Sequence, residues 1–257
     1  MPIRLLSTDF DGTLIGHHPD AHTVRSLSGA LTGLRRQGAV WAVNTGRQLW
    51  FALEGLEQAA LPHDPEFVLT SEKDIYRRIE EGSWEAFGDW NAQTERQTLE
   101  LFDRAAQVFT AIEKMVATRD GIELLYENGR LAGLMTADPG TMDQVADAVR
   151  ELAVAVPEFS FNRNHVWMRF AHRAIHKGSS LAELSRLTGI PRADVLAIGD
   201  HHNDIPMLDG SSAAMVACPA NAVREVQELV RREGGYISPH PWGEGVADAI
   251  RHFSAVS

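Results

Sequence analysis

The chain reads as an α/β protein: a parallel-sheet core interrupted by an inserted α+β module. Short apolar runs alternate with segments of helical period over residues 3–70 and again after about residue 174, which is the rhythm of βαβ units. Between these stretches the rhythm changes to paired strands around tight turns. The ends of several apolar runs also collect acidic, hydroxyl and basic residues, where open parallel sheets place their ligand crevice.

Taken in order, residues 3–7 form a buried strand, Val24, Leu27, Leu31 and Leu34 recur at helical spacing, and Gly38 ends that helix. Residues 39–43 give a second strand, a helix follows Arg47, and residues 67–70 give a third strand. This βαβαβ pattern implies parallel pairing with right-handed crossovers. After the insert, a helix is expected over 178–187, strands over 195–198 and 213–217, and a helix over 221–232.

Inside the insert, residues 74–79 and 84–87 flank the turn Glu81-Gly82, and a long polar helix is expected over 93–117. Residues 122–126 and 131–135 flank Asn128-Gly129, a strong hairpin signal. A helix over 141–154 then leads to strands over 159–161 and 166–170, joined through Asn162-Arg163-Asn164-His165. The expected division is a core of residues 1–75 and 174–257 and an insert of 76–173. The methionines and the tryptophans other than Trp167 read as core.

With 257 residues, 44% hydrophobic and 23% charged, the composition is that of an ordinary globular chain. A formal net charge of −11 argues against nucleic acid or an anionic membrane as partner. It leaves anionic small molecules open, because a cation, a lysine and turned-in amides can hold a phosphate in an acidic protein. The single cysteine, Cys218, excludes an internal disulfide and a cysteine-only metal cluster. No apolar stretch has transmembrane length and no signal-peptide segment precedes Asp9, so a cytoplasmic protein, monomeric or a small homo-oligomer, is expected.

Asp9-Phe10-Asp11-Gly12-Thr13-Leu14 follows the first strand. Residues i and i+2 of an extended segment project from one face, so Asp9 and Asp11 can address one cation or substrate group together. Gly12 permits the tight turn that brings amides toward an anion. A solvated Asp-Gly turn is the ordinary alternative. Val43-Asn44-Thr45-Gly46-Arg47 ends the second strand in a place suited to an anion, although Thr45 also reads as a helix N-cap. Lys177-Gly178 opens a helix, where a cation is disfavoured by the dipole, and a surface lysine is the plain reading. Gly199-Asp200-His201-His202-Asn203-Asp204 closes a later strand with two more carboxylates. If Asp9, Asp11, Asp200 and Asp204 converge, their repulsion calls for a hard cation such as magnesium.

These four segments, in order and spacing, resemble the motifs of the haloacid dehalogenase (HAD) superfamily of phosphotransferases, with the best fit to the Cof-type phosphatase branch. The resemblance implies a Rossmann-like core and, by position, a C2B-type cap between Thr45 and Lys177. It implies that Asp9 is the nucleophile forming an aspartyl phosphate and that Asp11 is the general acid and base. Thr45 and Lys177 would hold phosphoryl oxygens. Gly12, Gly46, Arg47 and Asn203 are further candidates for substrate contact. Mg²⁺ would be bound by Asp9, the backbone carbonyl of Asp11 and Asp200, with Asp204 on the metal side orienting waters. The second carboxylate, Asp11, distinguishes a phosphatase from a carbon-centre dehalogenase. The expected substrate is a small phosphorylated metabolite such as a sugar or polyol phosphate. A phosphosugar mutase or a non-catalytic phosphometabolite binder remain alternatives.

The chain departs from that branch after the third strand, with Ser71-Glu72-Lys73-Asp74 in place of Asn-Gly-Ala, and at Ala217-Cys218-Pro219-Ala220-Asn221-Ala222, which leaves Asn221 a weaker phosphate-side candidate. His17 and His18 read as solvated, and His201 and His202 as neighbours of the metal side rather than soft-metal ligands. Trp167, Arg169 and His172 suit a hydroxylated leaving group, with packing of the insert's sheet as the alternative for Trp167.

Overall fold

The computed structural model describes residues 2–16, 21–59, 61, 63–127 and 129–255; His17, His18 and Asn128 lie outside them. In chain order the elements are β1 (Leu5–Thr8), α1 (Ala21–Arg36), β2 (Val40–Asn44), α2 (Leu49–Ala59), β3 (Phe67–Thr70), β4 (Asp74–Arg78), β5 (Trp84–Ala86), α3 (Trp90–Arg104), α4 (Ala106–Val116), β6 (Ile122–Glu127), β7 (Arg130–Thr136) and α5 (Pro139–Leu152). They continue with β8 (Phe159–Asn164), β9 (Trp167–His172), α6 (Lys177–Thr188), β10 (Val195–Ile198), α7 (Ile205–Leu208), β11 (Met215–Cys218), α8 (Arg224–Arg232), β12 (Tyr236–Ile237) and α9 (Trp242–Ala255). The chain divides into one compact unit of Met1–Asn91 with Lys177–Ser257 and a second of Ala92–His176.

The first unit is built on an eight-stranded sheet in the order β12-β11-β10-β1-β2-β3-β4-β5. From β12 to β3 every pairing is parallel, with β1 between β10 and β2. These strands are mostly apolar because both faces are covered, with Ser7, Thr8, Asn44 and Thr70 as buried polar exceptions, and the period of two sorts their side chains. Leu6, Trp41, Val43 and Ile198 pack with Leu27, Leu31 and Ile250 on one face. Leu5, Ala42, Val195 and Ala197 pack with Leu181, Leu184 and Val230 on the other. The α/β core with crossover helices is as expected.

The hairpin β4–β5, expected in the insert, joins the core sheet: β4 pairs antiparallel with β3, Leu69 opposite Ile75, and β5 pairs with β4. Ile75 is fully buried, and Trp90 and Asn91 of the following helix bond to Lys73 and Ile75. A hairpin has no core of its own, so it extends the sheet whose edge it can pair.

The second unit carries a four-stranded antiparallel sheet, β6-β7-β9-β8. Leu134, Met142, Val145, Val149, Phe159 and Phe170 form its core. Three expectations change in detail. The long helix over 93–117 is broken at Ala105, between α3 and α4. The turn placed at Asn162–His165 is shorter, because Asn162 pairs with Arg169 and Asn164 with Trp167, leaving His165-Val166 at the tip with His165 at φ +52°. Trp167 is half exposed and Trp50 of the first unit about two-thirds exposed, so neither packs a core. Helix α9 and strand β12 had no counterpart in the sequence reading. Among the described residues, no helix is long and apolar enough to cross a membrane.

Candidate active site

Four neighbouring strand ends of the first unit build the site. The registers Thr8↔Val43, Thr8↔Ile198 and Asn44↔Leu69 bring the C-terminal ends of β1, β2, β10 and β3 level. The residues that follow are Asp9, Thr45, Gly199-Asp200 and Ser71-Glu72. Backbone bonds continue the ladder past the strands, Asp9 N donating to Ile198 O at 2.9 Å and Thr45 N to Leu69 O at 2.8 Å. Parallel pairing alone therefore delivers four polar residues to one edge.

Lys177 links them. It opens α6 and is fully buried, not on the surface. Its Nζ donates to Asp9 Oδ1 at 2.5 Å and to Asp204 Oδ1 at 2.6 Å. Asn44 Nδ2 donates to the Lys177 carbonyl at 3.0 Å, fixing the start of α6 against β2. Burial works against the ammonium, but the Asp204, Asp9 and Glu72 carboxylates outweigh it and hold its pKa above the ordinary lysine value.

The acidic side is arranged around that cation. Asp204 Oδ2 accepts from the backbone N of Asp200 at 2.8 Å and of His201 at 3.0 Å, so both Asp204 oxygens already hold donors. A Cβ on Gly199 would stand 2.5 Å from the Asp204 side chain, which is why that turn needs glycine. Thr13 Oγ1 donates to Asp200 Oδ1 at 2.8 Å. Gly12, at φ +83°, lies so close that a Cβ there would be 2.4 Å from Asp200 Oδ2. Burial raises the Asp9 pKa well above its usual value, aided by repulsion from Asp204 and Asp200 and opposed by Lys177. Burial and Asp204 push Asp200 up to about 7 against the pull of Thr13 and Lys177.

Asp9, Asp200 and Asp204 each offer an oxygen within 4.8 Å of the others. This buried set of hard oxygen donors, carrying more negative charge than Lys177 balances, fits a divalent cation of the magnesium type. Asp9 and Asp200 have the freer oxygens. Asp204 is better employed holding Lys177 and the 199–201 turn, a supporting part that such sites require. His201 and His202 are not in this set; their rings meet edge to face at 4.8 Å.

Asp11 is turned toward another partner. Arg47 grips it with two bonds, Nε to Oδ2 at 2.8 Å and Nη2 to Oδ1 at 2.6 Å. The guanidinium in turn lies 4.7 Å from the ring centroid of Phe10 and 4.1 Å from that of Phe51. Thr45 Oγ1 accepts from Arg47 N at 3.1 Å, closing the turn ahead of α2; because α2 begins at Leu49, Thr45 is not its N-cap. Asn221 braces the first loop, donating to Gly12 O at 2.7 Å and accepting from Trp242 N at 2.8 Å. Cys218 is buried and its thiol is pushed up to about 12 by that burial, so it is inert.

Glu72 is the residue that sequence reasoning left out of the site. Its Oε1 accepts from Asn203 Nδ2 at 2.8 Å, and a Cβ on Gly46 would lie 3.3 Å from the same oxygen. The available signal was a carboxylate one or two residues past the end of a core strand, as Asp9 and Asp200 also are.

Residues 60–250 match the family of haloacid dehalogenase-like hydrolases. Phosphoglycolate phosphatase from Methanothermobacter thermautotrophicus is 34% identical over 111 residues, covering 43% of this chain and 45% of that protein. The chain thus spans less than half the length of that curated relative. The Bacillus subtilis protein YxeH is 24% identical over 275 residues, covering 96% of this chain and 97% of its own. Sucrose-phosphatase from Synechocystis sp. PCC6803, solved in complex with sucrose and phosphate, has a similar fold, with TM-score 0.72, 21% identity and 99% coverage of each chain. The matched segment begins downstream of Asp9, yet the strand-end geometry joins Asp9 to Lys177, Asp200 and Asp204, which lie within it, and on both grounds the chain belongs to the haloacid dehalogenase-like hydrolase family.

Proposed function

We propose that this protein is a Mg²⁺-dependent phosphomonoester hydrolase acting through an aspartyl phosphate on a small phosphorylated metabolite, a sugar or polyol phosphate. The observation that carries the proposal is the buried cluster in which Lys177 bonds Asp9 and Asp204 beside Asp200. A buried, lysine-bound carboxylate next to a cation site is what nucleophilic attack on a charged phosphoryl group needs. The names of the relatives, a phosphoglycolate phosphatase and a sucrose-phosphatase, support a small hydroxylated or acidic leaving group. The second unit is assigned the part of a Cof-type C2B cap that selects it, on its antiparallel sheet and its position in the sequence, and the lone Cys218 favours a cytoplasmic location.

In the first step an Asp9 oxygen forms a bond to phosphorus as the bond to the leaving oxygen breaks, and Asp11 gives that oxygen its proton. In the second, Asp11 takes a proton from water as the water oxygen attacks phosphorus, releasing inorganic phosphate and the Asp9 carboxylate. Thr45, the Gly46 amide and Lys177 hold the phosphoryl oxygens and offset their charge. Asp9 and Asp200 would hold Mg²⁺, which when bound supplies positive charge to the transferring group. Both Asp11 oxygens are taken up by Arg47, so the fork must open to one bond for Asp11 to exchange a proton. Turnover of an aryl phosphate ester should require Mg²⁺, stop with a chelator, and vanish in Asp9→Asn. Full activity in that variant would refute the covalent route.

A further inference from the structure

The turn after β3 carries an acidic side chain into the phosphate side of the site. Ser71 and Glu72 both take left-handed backbone angles, φ +52° and +60°, a conformation disfavoured for any residue with a Cβ and found where surrounding structure imposes it. Here it is imposed from several sides. Ser71 N donates to Arg47 O at 2.8 Å, Glu72 N to Thr45 O at 3.2 Å and Lys73 N to Thr70 O at 2.9 Å. Ser180 Oγ of α6 donates to Glu72 O at 3.1 Å. So held, Glu72 is 5% exposed. Its carboxylate touches Asn203 Nδ2, lies against Gly46 and stabilises the Lys177 ammonium.

Gly46, Lys177 and Asn203 are among the groups assigned to the phosphoryl group and its surroundings, and in this structure they already face an anion. We infer that Glu72 sets the affinity of the site for phosphate by competing with it: the carboxylate sits in the anion cradle of Gly46, Lys177 and Asn203 and yields when a phosphoryl group enters. The inference rests on the phosphatase reading of the same site. Like charges in a partly buried cradle repel strongly, so the side chain weakens the hold on inorganic phosphate, the product. It also favours esters whose leaving group adds binding of its own over those that offer only the phosphoryl end.

A positioning role has the opposite sign. If Glu72 served only to orient Asn203, its loss would loosen the cradle and weaken phosphate binding. Glu72→Gln separates the two, since the amide keeps the length and an oxygen to accept from Asn203 but carries no charge. Glu72→Gly removes the side chain and suits the left-handed backbone.

The experiment compares the Mg²⁺-loaded full chain with E72Q and E72G. It measures the inhibition constant of inorganic phosphate against an aryl phosphate ester and, separately, calorimetric binding of inorganic phosphate. The expected result is phosphate binding tighter by about tenfold or more in E72Q, tighter again in E72G, with KM falling alongside it. Unchanged or weaker binding in variants that melt like the wild type overturns the inference. If the wild type lacks turnover the phosphatase reading fails, while calorimetry still decides whether Glu72 guards an anion cradle. Failure of all three proteins to bind phosphate overturns the inference, and turnover alone then decides the phosphatase reading.

Discussion

At the strand ends of the first unit Lys177, Asp9 and Asp204 lie buried together, whereas the second unit is filled by Phe109, Phe159 and Phe170, whose ring centroids stand 5.5–5.6 Å apart. The second arrangement is what folding alone favours, because packing the rings together takes apolar area out of water. The first is not. Removing charges from water is expensive, and well-packed apolar residues in place of a buried ion cluster often leave a protein equally or more stable. A cluster of that kind, at the edge where a parallel sheet binds ligands, is explained by chemistry rather than by stability.

The sharpest way to test the contrast is to remove the central cation. Lys177→Met is expected to abolish turnover and to lower stability by about 3–5 kcal/mol, because it leaves buried carboxylates uncompensated. Added Mg²⁺ should restore part of the stability and none of the activity, read by thermal unfolding with and without the ion. In the second unit, Leu134→Ala at a fully buried position is expected to cost about 2–5 kcal/mol through lost transfer energy and a cavity. That variant should keep turnover of a small aryl phosphate below its melting temperature. Loss of activity in proportion to loss of stability in both variants would erase the distinction between the two cores.

A smaller effect comes from protons. The folded pKa of Asp200 is raised from 3.8 to about 7, so between those values the folded protein binds a proton that the unfolded chain has released. Stability of the metal-free protein therefore falls as pH rises through this window, and Asp9, raised by the same burial, adds to the fall. A bound dication should cancel the slope and bind more tightly as pH rises, since it displaces those protons. Melting curves at a series of pH values, with Mg²⁺ and with a chelator, should cross over accordingly. Asp200→Asn should flatten the metal-free series, and a metal-free midpoint that rises from acid to neutral pH would contradict the assignment.

How much of this could be read in the residues depends on whether the signal is local. The strands β1, β2, β3 and β10 and the positions of Asp9, Thr45 and Asp200 are legible because fully buried parallel strands are short apolar runs and ligand residues follow them directly. Lys177 is different. Its local surroundings indicate a surface lysine, and only the motif order across 168 residues of separation from Asp9 brings it into the site. Glu72 was hidden by substitution, standing in the segment that departs from Asn-Gly-Ala and at a backbone angle of φ +60° that no pattern in the sequence announces. The β4–β5 hairpin has the same alternation whether it joins the core sheet or the insert, so its partner is decided by which edge is free.

The smallest effects belong to two pairs that each join an arginine to a carboxylate by two bonds. Arg169 grips Glu127 at 3.0 and 2.6 Å in the second unit, as Arg47 grips Asp11 in the first. Both pairs are partly exposed, with side chains 35% and 41% accessible in one and 21% and 43% in the other. Solvent screening holds such pairs to about 0–1 kcal/mol, so Arg169→Lys and Arg47→Lys should each shift stability by less than that. Their activities should part. Lysine cannot reproduce the planar fork, and Asp11 misplaced loses part of a proton-transfer contribution of about 10²–10⁴-fold. Arg47→Lys should therefore lower kcat by about tenfold or more with its melting temperature nearly unchanged, while Arg169→Lys leaves kcat for a small aryl ester intact. Equal kcat in the two variants would show that the Arg47 fork, for all its position, does no more than its counterpart in the second unit.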